Sequence, residues 1–558
     1  RDTISPMTQK ETLDILKTGR NVFLTGAAGS GKTFVLREYI NYLKGLGANI
    51  GITASTGIAA THMGGTTIHS WSGIGIKDSL DKNELTEISQ KKHIRNKVEK
   101  ASVLIIDEVS MLHHFRLDLI EKIIKRVKNS PEPFGGMQVV FCGDFFQLPP
   151  VRRVGEPEAF FAYHSNAWKD LNLKVCYLSE QHRQSDLKYL KVLNSIRENS
   201  VSDEILQILQ TRFCQTSDIG KGPIEPTKLY SHNKNVDAEN EAELVKLPGK
   251  SSEYEMQQRG RHNLVETLKK SCLAPETLRL KVGAKVMFVR NNFDKGFVNG
   301  TMGVVIKCGY EEIKVRILSG QTIEVERESW AIEEDKRILA KIIQFPLRLA
   351  WAITIHKSQG MSLDNALIDL SQSFERGMGY VALSRVRSLE GLFLKDINDM
   401  ALRVNEEVLE FDDKFKKLSK TNCFHIQTMG QEKISKMHKE FADKIKNKEI
   451  KIKEKKLDTV SETKKMLDEG KSLKDIVKER GLKIGTVLDH IEEIKKENPN
   501  YNIRNLQGST TKNKFREIYN AFRKIGMGEG GQYKLAPVRE LLGPHYSYDD
   551  LGVVRLFL

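Results

Sequence analysis

Short apolar runs that break at a glycine or an acid recur through the first half of the chain. Val22-Phe23-Leu24-Thr25 stops at Gly26, Val103-Leu104-Ile105-Ile106 stops at Asp107-Glu108, and Val139-Val140-Phe141-Cys142 stops at Gly143-Asp144. Runs without polar alternation suit strands buried on both faces of a parallel sheet. Helix-like patterning follows the first run at Phe34 to Tyr39, so an α/β architecture is expected. Between about 275 and 345 the pattern changes. Leu278 to Val289 largely alternates at period two, Asn299-Gly300 signals a turn, and Gly303 to Ile306, Ile313 to Ile317 and Thr322 to Val325 supply further strand-like runs. A small inserted β domain is expected there. Beyond about 400 the periodicity is helical and thick with charge.

At 558 residues the chain exceeds one ordinary core, so several domains are expected. The charged fraction of 29% is ordinary for a soluble globular protein. No stretch reaches the roughly 18 consecutive apolar residues of a membrane span, so no membrane partner is expected. Arg1 to Pro6 have no apolar run behind their positive charge and do not read as a signal peptide. Cys142, Cys176, Cys214, Cys272, Cys308 and Cys423 are scattered, with no C-x-x-C pair. That argues against a zinc site or a disulfide framework and for reduced thiols in a cytoplasmic protein. Cys142 and Cys176 lie in apolar runs and read as small core residues. Lys and Arg total 88 against 73 acids, a formal charge of +15. Such a surplus favours a polyanionic partner, a solubility margin being the alternative.

The chemistry starts at Gly26-Ala27-Ala28-Gly29-Ser30-Gly31-Lys32-Thr33, a G-x-x-x-x-G-K-T loop between a strand and a helix. Its glycines let backbone N–H groups curl around phosphates, and the helix N-terminus adds partial positive charge. Lys32 is expected at the β- and γ-phosphates and Thr33 on Mg²⁺. Asp107 and Glu108 end a buried strand, where carboxylates are costly without chemical work. Asp107 is expected in the Mg²⁺ shell and Glu108 as the general base that activates water. Two acids capping a loop is the plainer alternative. Gln147, after the third strand, suits a γ-phosphate sensor or a satisfied loop amide.

Several segments together resemble the Pif1 family of superfamily 1B helicases: Asp107-Glu108-Val109-Ser110-Met111-Leu112, Pro133-Phe134-Gly135-Gly136, and Gly143-Asp144-Phe145-Phe146-Gln147-Leu148-Pro149-Pro150-Val151. In the family's order, Thr53 to Ala60 is similar to motif Ia, Thr66 to Ser70 to the DNA-contacting segment after it, and Leu178 to Gln184 to motif IV. Trp351 to Met361 is similar to motif V and Tyr380 to Arg387 to motif VI. The resemblance covers roughly residues 1 to 400. It implies two RecA-like P-loop domains with ATP between them, an SH3-like β-barrel insert, and translocation 5′ to 3′ on single-stranded DNA. It adds Arg385 and Arg183 at the γ-phosphate, Gln9 at adenine and Gly360 in the ATP site. Arg387 is not carried into the site and reads as surface or DNA-side.

The same resemblance places Ser55, Thr56, His69 and Ser70 from the first half, and Thr354, His356, Lys357 and Ser358 from the second, on the strand. Hydroxyls and imidazoles hold phosphates without base preference. Trp71 reads either as a stacking platform or as core, and Arg290, Lys295 and Phe297 either as DNA contacts or as a solvated hairpin tip.

The expected organisation is domain 1A at 1–175, domain 2A at 176–274 and 346–400, and the β insert at 275–345. A charged helical linker follows at 401–458. A helix-turn-helix-like module at 459–498 has three short amphipathic helices, and its recognition helix, for which sequence reading and protein or duplex docking are both open, begins near Ile484 and carries Thr486, Asp489 and His490. A small helical unit at 499–558 completes the chain. Single-stranded DNA and single-strand/duplex junctions are the implied partners, and a bacterial nucleoid setting is expected. Two other readings stay open here: a P-loop ATPase that does not translocate, and a DNA-binding regulator whose helix-turn-helix does the work.

Overall fold

The computed structural model describes residues 6–75, 77–150, 160–181, 186–213, 226–232, 236–290, 292, 295–310, 312–317, 319–334, 337–504, 506, 510–527 and 533–558. They form two compact units, Arg1–Lys446 and Asn447–Leu558.

In the first unit a six-stranded sheet comprises β1 (Val22–Gly26), β2 (Ile50–Ala54), β3 (Thr66–Thr67), β4 (Val103–Asp107), β5 (Gln138–Cys142) and β6 (Lys174–Leu178). All neighbours run parallel, in the order β3-β2-β4-β5-β1-β6. Every residue of β1, β4 and β5 is buried. Alternate side chains serve opposite faces: Phe23, Leu104, Ile106, Val139 and Phe141 enter one core, and Val22, Leu24, Val103, Ile105, Val140 and Cys142 the other. Both faces are covered, which is why these strands read as unbroken apolar runs. Because β4, β5 and β1 are adjacent, the loops at their carboxyl ends share one rim of the sheet, where such folds bind ligands.

A second parallel sheet has Thr227–Tyr230 between Ala352–Thr354 and Ala366–Leu370, with Leu392–Ile397 outside. The two sheets have the RecA-like α/β arrangement that the sequence implied. The β segment interrupts the second one.

Within that segment the strand pairing does not draw the expected single SH3-like barrel. Lys285–Phe288, Met302–Cys308, Ile313–Ile317 and Thr322–Val325 form an antiparallel meander, closed on one side by Leu347–Leu349. Glu328–Glu334 and Arg337–Gln344 pair instead with Gln257–Gly260, and Thr277–Leu280 pairs with Ser252–Glu255. Residues before 275 therefore contribute strands. Alternation holds for Thr277–Leu280 but fails at Lys285–Phe288, where every position is buried. The reason is that Val286 and Phe288 pack into the insert's own core while Met287 packs into the main one. Phe297 is core as well, stacked on Phe288 at 4.1 Å, while Arg290 pairs with Glu328 and Lys295 with Glu326.

Helix Glu406–Thr428 belongs to the first unit and not to a linker. Val408, Asp412, Phe415, Ser419, Cys423 and Ile426 are buried at three- and four-residue spacing, and Ser419 Oγ accepts the Tyr177 N–H at 2.9 Å. Two of the six positions are polar, so the stripe hides in a charged sequence.

The second unit is helical: Leu473–Arg480, Ile484–Glu497, Lys512–Ile525, Leu535–Leu542 and Tyr548–Arg555 follow the end of helix Gln431–Asp468. His490 is buried with Nδ1 2.8 Å from Thr463 Oγ1, so it serves the core and not a reading face. Asp489 is exposed. The last helix shares a core with Ile484–Glu497, and a Cβ on Gly552 would lie 2.8 Å from Leu488 Cδ1. The two segments that read separately are thus packed together.

Candidate nucleotide site and strand-binding surface

The loop after β1 takes its shape from glycine. Gly26 has φ 145°, and a Cβ there would lie 2.3 Å from the Leu178 carbonyl oxygen. Gly31, at φ 88°, caps helix Lys32–Gly45 without a side-chain bond, so the cap leaves the first-turn N–H groups to a ligand. Lys32 Nζ donates to the carbonyls of Gly26 at 2.7 Å and Ala27 at 2.9 Å. Burial lowers its pKa, partly opposed by the Asp144 carboxylate.

This loop floors a cavity of about 580 Å³ lined by Ala28 to Phe34, Glu108 and Gln147 from the first lobe and by Gly360, Ser362, Arg385 and Arg387 from the second. Lys32, Thr33, Glu108, Gln147, Gly360 and Arg385 are thereby brought together, along with Ala28, Gly29, Ser30 and Gly31. Gly26 and Ala27 sit just behind, against Lys32. Gln9 opens helix Gln9–Lys17 and stands outside the lining set. Arg183 lies outside the described residues. Arg387, read as surface or DNA-side, lines the cavity as well, paired with Asp364 at 2.6 Å.

Asp107 is buried beside the cavity, and its Oδ1 accepts the Glu108 N–H at 2.9 Å. Burial raises its pKa. Burial, then the Asp107 charge, raises the Glu108 pKa to about 7. Glu108 itself adopts φ 49°, ψ 45°, left-handed backbone that a non-glycine residue holds only under constraint. The constraint is visible: Ser55 Oγ donates to the Glu108 carbonyl at 2.6 Å. From the second lobe Gln359 Nε2 donates to Glu108 Oε2 at 3.1 Å and reaches Gln147 Oε1 at 3.5 Å. Arg385 is buried, its Nε on the Val381 carbonyl at 2.9 Å and its Nη2 on Ser384 Oγ at 2.8 Å. Burial lowers its pKa, and the Glu108 charge opposes that.

The residues expected on the strand fall into two groups. Ser70 and His69 lie on helix Ile68–Ser72, Ser70 exposed and His69 half-buried, with Lys97 Nζ on the Ser70 carbonyl at 3.0 Å. His356 and Lys357 are half-buried. Burial lowers both pKa values, and Arg348 depresses that of Lys357 further. In contrast, Thr354 and Ser358 are buried. The Ser358 hydroxyl donates to the Ile355 carbonyl at 2.7 Å, and Thr354 Oγ1 accepts the Lys357 N–H at 3.3 Å. Thr56 Oγ1 accepts the Ala59 N–H at 3.3 Å, and Ser55 is tied to Glu108. Trp71 is core, packed over Gly51, where a Cβ would lie 2.8 Å from its ring.

Sequence reasoning missed Gln359, on Glu108, and the buried, mutually hydrogen-bonded Asp144, Tyr380 and Arg197. The first three lie inside segments singled out above; Arg197 ends an amphipathic helix, where a cation is ordinary helix punctuation.

The PIF1-like helicase family model matches residues 8–217, a model of the DNA helicase Pif1 2B domain matches 263–308, and a helix-turn-helix domain matches 459–555. An ATP-dependent DNA helicase Pif1 of Psychrobacter sp. is 38% identical, over 99% of this chain and 100% of its own. The crystal structure of Bacteroides sp Pif1 with ADP-AlF4 is similar at a TM-score of 0.66 and 32% identity, over 74% of this chain and 97% of that one. Bacteroides Pif1 with ADP-AlF3 and ssDNA is similar at a TM-score of 0.53 and 32% identity, over 75% and 99%. With a relative matched end to end and the phosphate loop, paired acids and Arg385 gathered on one cavity, the chain belongs to the PIF1-like helicase family.

Proposed function

We propose that this protein is an ATP-dependent DNA helicase that moves 5′ to 3′ along single-stranded DNA and separates duplex at single-strand/duplex junctions. The observation that carries the reading is the cavity lined from both lobes, with Lys32 and Glu108 on one side and Arg385 on the other. A nucleotide in such a cleft joins the lobes, so its arrival and hydrolysis change how they close.

Lys32 and the first-turn N–H groups hold the phosphates, and Arg385 offsets charge that develops on the γ-phosphoryl group. Glu108 takes the proton of the attacking water as the new P–O bond forms and the bond to the β-γ bridging oxygen breaks. Its raised pKa makes it a better base than an ordinary carboxylate. Gln147 and Gln359 orient that carboxylate and the water beside it. The donor set fits Mg²⁺: the Thr33 hydroxyl and the Asp107 carboxylate are hard oxygens, and this ion is held by one or two protein groups plus phosphates and water. When bound, Mg²⁺ supplies charge neutralisation on the β- and γ-phosphates. Gln9 and Arg183 complete the proposed set, at adenine and at the γ-phosphate.

The strand runs over His69, Ser70, His356 and Lys357, whose partial or full exposure suits phosphate contact. Thr354 and Ser358 shape the turn that carries His356 and Lys357, and Ser55 and Thr56, which follow β2, complete the proposed contact set. Ser55 also places this surface one hydrogen bond from the strained backbone of Glu108, a direct route from strand to base.

The test is ATP turnover with and without a single-stranded oligonucleotide. A several-fold rise with the oligonucleotide supports the reading. Equal rates would leave a P-loop ATPase without a DNA track.

A further inference from the structure

Asp144, just past β5, is completely buried, with side-chain exposure of 0%. Three side chains converge on its carboxylate, whose Oδ1 also accepts the Phe146 N–H at 3.2 Å. Arg197 Nη1 donates to both oxygens at 2.7 Å, and Tyr380 Oη and Gln147 Nε2 each reach Oδ2 at 3.4 Å. Arg197 Nη1 also donates to Tyr380 Oη at 3.2 Å, and its Nη2 donates to Tyr177 Oη at 2.9 Å. Its guanidinium lies 4.2 Å from the centre of the Phe146 ring. Finally, Tyr380 Oη accepts the backbone N–H of Ala28, in the phosphate loop, at 3.1 Å. One hydroxyl from the second lobe therefore touches the phosphate loop, the acid of the first lobe and the cation paired with it.

A buried ion pair is a poor source of stability, because desolvation offsets most of the attraction and apolar side chains of equal volume pack as well. Its position gives this pair another use. Tyr380 lies on helix Met378–Leu383, and Arg385 follows directly, its Nε anchored on the Val381 carbonyl of that helix. Helix Leu187–Arg197 is joined to the same element through Tyr189 Oη on the Leu383 carbonyl at 2.5 Å. Holding Tyr380 against Ala28 thus fixes the helix that carries Arg385 relative to the loop that carries Lys32.

We propose that Tyr380 is a positioning residue for ATP hydrolysis: its hydroxyl, held by the Asp144–Arg197 pair, registers the Arg385 helix against the phosphate loop across the lobe interface. The inference rests on the ATPase reading above and adds the device that aims the arginine. Tyr380→Phe keeps the ring and its volume and removes only the hydroxyl. Arg197→Lys keeps the charge and loses the fork that reaches Asp144, Tyr177 and Tyr380 together.

The experiment measures kcat and KM for ATP with saturating oligothymidine on the full chain, wild type beside both variants, with thermal unfolding of each. Losing a shared hydrogen bond made in the closed site is expected to lower kcat about tenfold. KM should stay within about threefold, since ground-state phosphate contacts are untouched. The unfolding midpoint of Tyr380→Phe should stay near wild type, and Arg197→Lys should show the same kcat-against-KM split. Wild-type kcat in Tyr380→Phe, or a loss confined to KM or to the unfolding midpoint, overturns the proposal. A wild type that hydrolyses no ATP overturns the helicase reading itself, and this inference with it.

Discussion

Replacing Glu108 by Gln separates what this residue does for catalysis from what it costs the fold. The amide keeps the size and an oxygen able to accept from Gln359 Nε2, as Glu108 Oε2 does at 3.1 Å. It removes a charge that sits beside Asp107 in a buried site. Between an ordinary value of 4.5 and the raised value of about 7, keeping this carboxylate ionised at pH 8 costs roughly 3 kcal/mol of folding stability. The sign follows from which state holds the proton more tightly. The folded protein does, so the cost is absent below the unfolded value, grows as pH rises toward 7, and is complete above it. Glu108→Gln should therefore unfold a few degrees higher than wild type at pH 8, with most of that difference gone by pH 5. Loss of the base should lower kcat for ATP by roughly 10²–10⁴-fold. In the wild type, log(kcat/KM) should fall with decreasing pH through about 7, where Glu108 of the free protein takes up its proton. The assays are steady-state ATP turnover across pH and thermal unfolding at two pH values. A Glu108→Gln variant that turns over ATP at the wild-type rate, or is less stable than wild type at pH 8, would refute the reasoning.

Three further outcomes follow from the same geometry. Lys32→Ala should abolish ATP turnover while leaving single-strand binding largely intact, as read by turnover and by anisotropy of a labelled oligonucleotide. Arg385→Ala should lower kcat by roughly 10³-fold or more and leave nucleotide affinity much less affected, as single-turnover kinetics and nucleotide titration would show. Asp144→Asn leaves the Arg197 charge buried without its 2.7 Å partner and should cost about 3–5 kcal/mol in the denaturant transition of the motor unit.

The nucleotide site was largely legible because its residues sit at fixed offsets around strand ends: the loop after β1 and the acids after β4 announce themselves by local spacing. What joins the lobes was not. Arg197 meets Asp144 and Tyr380 across separations of 53 and 183 residues. No periodicity encodes such a pairing. The helix Glu406–Thr428 was read as linker because Asp412 and Ser419 interrupt its buried stripe; they are buried there to bond Tyr177. Among the strand-facing candidates, motif membership did not distinguish half-buried His69 and exposed Ser70 from Thr354 and Ser358, whose hydroxyls are spent on their own turn. In the β insert the runs at 303–306, 313–317 and 322–325 were readable, but Glu328–Glu334 and Arg337–Gln344 were not, and pairing with 252–260 depends on contacts distant in sequence.

Strand displacement reaches the central claim most directly. With ATP and Mg²⁺, the protein should release the short strand of a 5′-tailed duplex, leave blunt and 3′-tailed duplexes paired, and do nothing when Lys32 is replaced by Ala. Persistence of all three duplexes under conditions where ATP is being hydrolysed would contradict it.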